Sequence, residues 1–259
     1  MTCCASALLL DLGHIWNLTI GRLTTWRIES CLLNVLLTSV SEMRYNIRAS
    51  ETKQMNYITF RERFHDYACV STEQVLAAFP NFDRGNYLTW LGKGYIKRLR
   101  RSWYAFADVA NKPGIGEYFA GKIYSPSYLS CEHVMARAGL IPESVVQFTS
   151  VTTLKTASFK NDFGEFSYRS VKPQLMFGYG VESVGDGLPV NVATPAKALC
   201  DFLYLNAQYD TPDEIEALRF DPDVLAEIVA NGDLDGVVTR FGSRALAWRM
   251  RLVKEVYAL

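Results

Sequence analysis

Between Gly92 and Phe106 the chain reads GKGYIKRLRRSWYAF. Lys93, Lys97, Arg98, Arg100 and Arg101 fall within nine residues, and no acid interrupts them. Tyr95, Ile96, Leu99, Trp103, Tyr104 and Phe106 thread between the cations. Tyr95 to Leu99 and Trp103 to Phe106 each read as a short strand, with Arg101-Ser102 at the tip between them. A small hairpin with one packed face and one cationic face is the arrangement that a duplex backbone rewards through counterion release. The competing reading of such a run is a solvated charged face.

The residues just upstream decide between the two. Tyr57, Phe60, Phe64 and Tyr67 recur at helical spacing and predict a first helix, broken at Cys69-Val70-Ser71. Ser71 is placed to cap a second helix over Thr72 to Phe79, with Gln74 completing a capping box. Pro80-Asn81 marks a turn. Asp83 is placed to cap a third helix over Arg84 to Gly92, with Leu88 and Leu91 as its buried stripe and Gly92 and Gly94 as its stop. Three short helices followed at once by a basic hairpin is the order of a winged helix-turn-helix, whose third helix enters the major groove while the wing grips backbone.

The residues expected to touch DNA are Arg84, Asn86, Tyr87, Thr89, Trp90 and Lys93 on the third helix. On the hairpin they are Lys97, Arg98, Arg100, Arg101 and Ser102. Asn86, Trp90 and Lys93 are spaced to share one helical face. Asn pairs bidentately with adenine, and Arg or Lys with guanine. Tyr87 and Trp90 also have a core reading, since aromatics at helical spacing pack inward, and Arg84 reads equally as a phosphate contact or a solvated cation.

Charge is distributed to match. The 259 residues carry no formal net charge. From Met55 to Phe106, however, eight Lys/Arg stand against four acids, and from Ala107 onward 14 stand against 19. A basic front module joined to an acidic partner domain is the organisation this implies. The division is 1–54, 55–110 and 111–259. Residues 1–54 show neither helical stripe nor strand alternation, and their apolar runs fall short of the ~20 residues a membrane span needs. No Lys or Arg precedes Leu8 to Leu10, so the stretch does not read as a signal peptide. It is expected to be a non-native or disordered extension, with Met55 or Met43 the true start.

Beyond a linker at 111–116, a helix is expected from Tyr128 to Ala138. Strands are expected over Val145–Thr153, Phe163–Val171, Leu175–Ser183 and Val190–Ala193. Thr194 and Pro195 start a helix as cap and first residue. Helices over Asp213–Arg219, Asp223–Ala230, Asp235–Phe241 and Ser243–Tyr257 complete an α+β domain.

Enzymatic readings fare poorly. Asp162 and Glu165 lack the Lys that a metal-dependent nuclease core places two residues beyond its acid; position 167 is Ser. Asp221 with Asp223 and Asp233 with Asp235 have magnesium-holding spacing. The Gly242-Ser243 pair of a nucleotidyltransferase nevertheless comes after them instead of before, and both acid pairs read as helix caps. His65 and His133 have no nucleophile at a recognisable spacing. Cys3, Cys4, Cys31, Cys69, Cys131 and Cys200 form no CxxC, which argues against zinc and fits buried thiols in a reducing, cytoplasmic compartment. No cofactor or catalytic residue is expected.

Several blocks resemble a known family: GYIKRLRRSWYAF, AGKIYSPSYLSCEHVMARAGLIPE, QFTSVTT, FGEFSYR, FGY and VNVATPAKALCDFLYL. In this order they are similar to AbiEi-type antitoxins, the transcriptional regulators of type IV toxin–antitoxin systems, from about Met55 to near the C-terminus. The resemblance implies a winged helix that represses its own operon by binding inverted repeats in the promoter. It also implies a nucleotidyltransferase-like toxin that is opposed without a stable complex. The alternative is a protein-interaction module of the same fold that neutralises a partner and touches no DNA.

Overall fold

The computed structural model describes Met55–Leu259 apart from Ser144 and Gly232. The extension expected over 1–54 lies outside the described residues. Asn56 opens helix α1 (Tyr57–Phe64) by accepting a hydrogen bond from the Thr59 amide. Phe60 and Phe64 are buried, whereas Tyr67 lies in a 3₁₀ turn just beyond and is exposed. Strand β1 (Cys69–Ser71) comes next, where the sequence shows only a helix break. It leads into α2 (Thr72–Ala78), capped by the expected box of Ser71 and Gln74. Helix α3 (Gly85–Gly92) and strands β2 (Ile96–Arg100) and β3 (Trp103–Phe106) complete the front region. Its sheet is ordered β1-β3-β2 and wholly antiparallel.

The segment read as a linker is anchored at both ends, because Val109 and Ile115 are buried. Helix α4 (Ile115–Ile123) starts there and buries Tyr118, Phe119 and Ala120. Gly116 and Gly121 hide this helix from propensity reasoning. Gly116 is there for contact: a Cβ at that position would collide with the Phe148 ring.

The rest is a mixed six-stranded sheet carrying helices. Strand β4 (Ser127–Leu129) occupies the start of the stretch expected to be helical, and α5 (Cys131–Arg137) only then begins. Strands β5 (Gln147–Thr152), β6 (Ala157–Asn161), β7 (Gly164–Ser170), β8 (Tyr179–Val184) and β9 (Leu188–Ala193) come next. The order is β6-β7-β5-β4-β9-β8, with β5–β7 and β4–β9 parallel. Edge strand β6 carries too little apolar pattern to be read from sequence. Thr194 caps α6 (Pro195–Leu205), with Pro195 at its first turn as expected. Helices α7 (Pro212–Glu216), α8 (Pro222–Asn231), α9 (Leu234–Phe241) and α10 (Arg244–Val256) close the chain, and the fold is α+β. Among the described residues no helix is long and apolar enough to cross a membrane.

Candidate nucleic-acid interface

Helix α3 is set by local chemistry at both ends. The Asp83 carboxylate accepts from the Gly85 amide at 2.8 Å, one residue inside the start expected for it. At the other end Gly94 takes φ +70°, and the Tyr95 amide returns to the Trp90 carbonyl at 2.9 Å. Glycine accepts that left-handed conformation without steric penalty.

The buried face of α3 is not the leucine stripe. Leu88 is 70% exposed and Leu91 half-buried, while Tyr87 and Trp90 are buried. Tyr87 stacks on Tyr104, with ring centres 4.1 Å apart, and Trp90 packs on Phe60 at 4.7 Å. Aromatic rings bury the larger apolar area and find ring partners on α1 and β3, so they displace leucine from the interior. Tyr87 and Trp90 are therefore core residues, in line with the core reading of aromatics at helical spacing, and of the two only Tyr87 borders the arginine-lined hollow described below. Asn86 is half-buried, and its amide donates to the Met55 carbonyl at 3.4 Å. Asn86, Trp90 and Lys93 do share one face and line a hollow with Tyr57 and Tyr95, but of the three only Lys93 is exposed, Asn86 being half-buried and Trp90 buried. The residues α3 and its flanking caps present outward are Arg84, Leu88, Thr89 and Lys93.

The hairpin divides its cations between two sides. Arg98 lies opposite Tyr104, but Arg100 lies opposite Trp103, so Leu99 is an extra residue in a β-bulge. A bulge breaks strand alternation and re-aims the side chains beyond it. Arg98 stays exposed, with its guanidinium 5.9 Å from the Tyr104 ring centre. Arg100 turns toward the six-stranded region, where it lines a hollow with Arg98, Arg101 and β6, and donates to the Ile123 carbonyl at 2.9 Å. Its guanidinium lies 4.6 Å from the Tyr124 ring and 4.4 Å from the Phe159 ring. Lys97 shares that side and pairs with Asp162 at 3.1 Å. Lys97 and Arg100 thus face the six-stranded region, a correction to their place among the expected DNA contacts. Arg101 and Ser102 remain exposed at the tip, where Ser102 takes φ +66°.

The tertiary structure adds a convergence that sequence could not foresee. Arg84 from the start of α3, Arg98 and Arg101 from the hairpin, and Thr72 from α2 line one hollow of about 300 Å³. None of these three arginines is ion-paired among the described residues. The Ser102 carbonyl accepts from the Thr72 amide at 2.8 Å, tying the hairpin tip to the start of α2. The Tyr87 hydroxyl, also at this hollow, is buried without a hydrogen-bond partner, and burial pushes its pKa up to about 12. Three arginines lining one space suit a phosphate or carboxylate chemically, because each guanidinium is a planar donor fork.

Several other titratable groups are matched internally. Asp108 accepts from Arg61 at 2.7 Å and contacts His65 at 2.9 Å; Arg61 first, then His65, holds its carboxyl down at about 2. His133 pairs with Glu117 at 2.9 Å. Asp162 is engaged by Lys97 and Glu165 by Lys160. Asp221 caps α8 through the amides of Asp223 and Val224, both at 3.0 Å. Asp233, by contrast, makes no side-chain cap, and Asp235 pairs with Lys254 at 2.7 Å. Among the described residues no three His, Cys, Asp or Glu side chains are grouped to hold a metal ion. Cys69, Cys131 and Cys200 are buried free thiols.

One internal cluster escaped sequence reading altogether. Lys197 and Asp201, one turn apart on α6, are fully buried as an ion pair. Tyr128 accepts from Lys197 at 2.7 Å and donates to Asp201 at 2.9 Å, and Ser130 donates to Asp201 at 2.8 Å. Burial lowers the Lys197 pKa and raises that of Asp201. Neither protein-family models nor curated proteins give a match to this chain.

Proposed function

We propose that the chain is a DNA-binding transcriptional repressor that uses α1 to β3 as a winged helix-turn-helix. The observation that carries this reading is the hollow between α3 and the hairpin tip, where Arg84, Arg98 and Arg101 converge without an acid of their own. Spaced on two elements, these cations fit a phosphate backbone better than a solvated charged face. Leu88 and Thr89, exposed on the same helix, fit base edges, since an apolar side chain can meet a thymine methyl. Occupancy of promoter repeats would then exclude polymerase.

The resemblance to AbiEi-type antitoxins extends the proposal. The chain would regulate its own operon in the cytoplasm and oppose a nucleotidyltransferase-like toxin without a lasting complex. That part rests on the sequence blocks alone.

The test is a fluorescence-anisotropy titration of the full chain against its own upstream DNA and a scrambled duplex at two salt concentrations. Tighter binding to the upstream DNA, with both affinities falling as salt rises, supports the repressor. Equal weak binding reduces the hollow to a nonspecific basic patch. No binding at low salt moves the function to protein recognition.

A further inference from the structure

We propose that Arg100 is a positioning residue for the hairpin tip, mounted on the six-stranded region and not on DNA. The proposal rests on the DNA-binding reading and assigns a use to the bulge at Leu99. Arg100 sits beside the two tip residues, yet its guanidinium is taken up by Tyr124, Phe159 and the Ile123 carbonyl. The residue before it is held as well: the Asn161 side-chain amide donates to the Leu99 carbonyl at 2.9 Å. Lys97 adds a third tie through Asp162.

Two consecutive residues at the end of β2 are therefore fixed by groups from α4, the residue after it, and β6. On the other side of the tip, the Ser102 carbonyl is fixed by Thr72. An isolated two-stranded hairpin is marginal in water, and its tip frays. Here the tip that carries Arg101 is held from both sides, so Arg101 and Arg98 reach the hollow without first losing that freedom. A positioned cation spends less of its interaction on ordering itself. The six-stranded region thereby acts on DNA affinity without touching DNA.

Salt dependence separates a mount from a contact. Each phosphate contact contributes ~0.9 to the slope of log affinity against log salt concentration. Arg101→Ala is expected to lower the slope by about that amount. Arg100→Ala is expected to weaken binding to upstream DNA roughly ten-fold through loss of a half-buried stacking and hydrogen-bonding site. Its slope should stay unchanged. Phe159→Leu, on the far side of the mount, should weaken binding in the same slope-preserving way. Hydrogen exchange of the peptide covering residues 96–106, measured on the free chain, should rise in Arg100→Ala and Phe159→Leu but not in Arg101→Ala.

A slope that falls in Arg100→Ala as it does in Arg101→Ala would make Arg100 a phosphate contact and overturn the proposal. So would unchanged affinity together with unchanged exchange. Failure of the underlying reading looks different: the wild-type chain would bind no duplex at low salt, while exchange in Arg100→Ala still rose.

Discussion

Cations are housed in two opposite ways in this molecule. In the hollow between α3 and the hairpin, Arg84, Arg98 and Arg101 face solvent and have no carboxylate among the described residues. Inside the six-stranded region, Lys197 is sealed from solvent with Asp201, and its ammonium lies within 5.1 Å of the ring centres of Tyr128, Phe177 and Phe241. A buried charge is tolerable only when its partner and hydrogen bonds are built in. An exposed one can be left for a ligand to complete. Lys197 therefore belongs to the architecture and the three arginines to recognition, although both are basic residues among aromatic ones.

The contrast is tested most severely at Asp201. Asp201→Ala leaves a buried ammonium without its counter-charge and is expected to cost roughly 3–5 kcal/mol. A urea denaturation midpoint close to that of the wild type would show that Lys197 is reached by solvent after all. Replacing Arg84, Arg98 and Arg101 together by Ala should leave that midpoint nearly unmoved. It should flatten the salt slope of DNA binding by up to ~2.7 for three phosphate contacts. A slope that does not move removes the hollow from the interface.

The partly buried pair of Glu117 and His133 lies between these extremes. His133 first, then Arg137, lowers the Glu117 pKa below its ordinary 4.5. Because the folded value is the lower one, the stabilisation is complete above 4.5 and is lost as pH falls through the folded value. Glu117→Gln should thus cost about 1.5–3 kcal/mol at pH 7, the range for hydrogen bonds to charged groups. The gap between mutant and wild type should close as pH falls through the folded value. A gap that persists below it would mean packing and not charge.

The smallest effect is expected at Leu88. Leu88→Ala should change stability by no more than ~0.5 kcal/mol, as exposed substitutions do, whereas Trp90→Ala should cost ~3–5 kcal/mol. Comparable losses at the two positions would restore the leucine stripe as the buried face.

Much of the fold is legible in the chain itself. Ser71 and Gln74, Thr194 and Pro195, and the Gly94 stop are local devices; each acts within about four residues, so sequence suffices to place them. The hairpin flanking Arg101-Ser102 and the strands around Gln147, Gly164 and Leu188 are signalled by runs of apolar and β-branched residues. Helix α4 and strand β6 are not, because one contains two glycines and the other lies at a polar edge, and both are held by the elements they pack against.

The candidate site divides along the same line. Local pattern suffices to place a basic hairpin after a third helix, and to put Arg84, Arg98, Arg101 and Ser102 near one another along the chain. The side that each residue takes is a tertiary matter. The choice of Tyr87 and Trp90 over Leu88 for the interior depended on aromatic partners from α1 and β3. The diversion of Arg100 depended on one extra residue at Leu99 and on Tyr124 and Phe159, more than twenty positions away. Periodicity fixes the spacing of side chains along an element, but its phase is set by whichever neighbours bury the most surface, and those neighbours are distant in sequence.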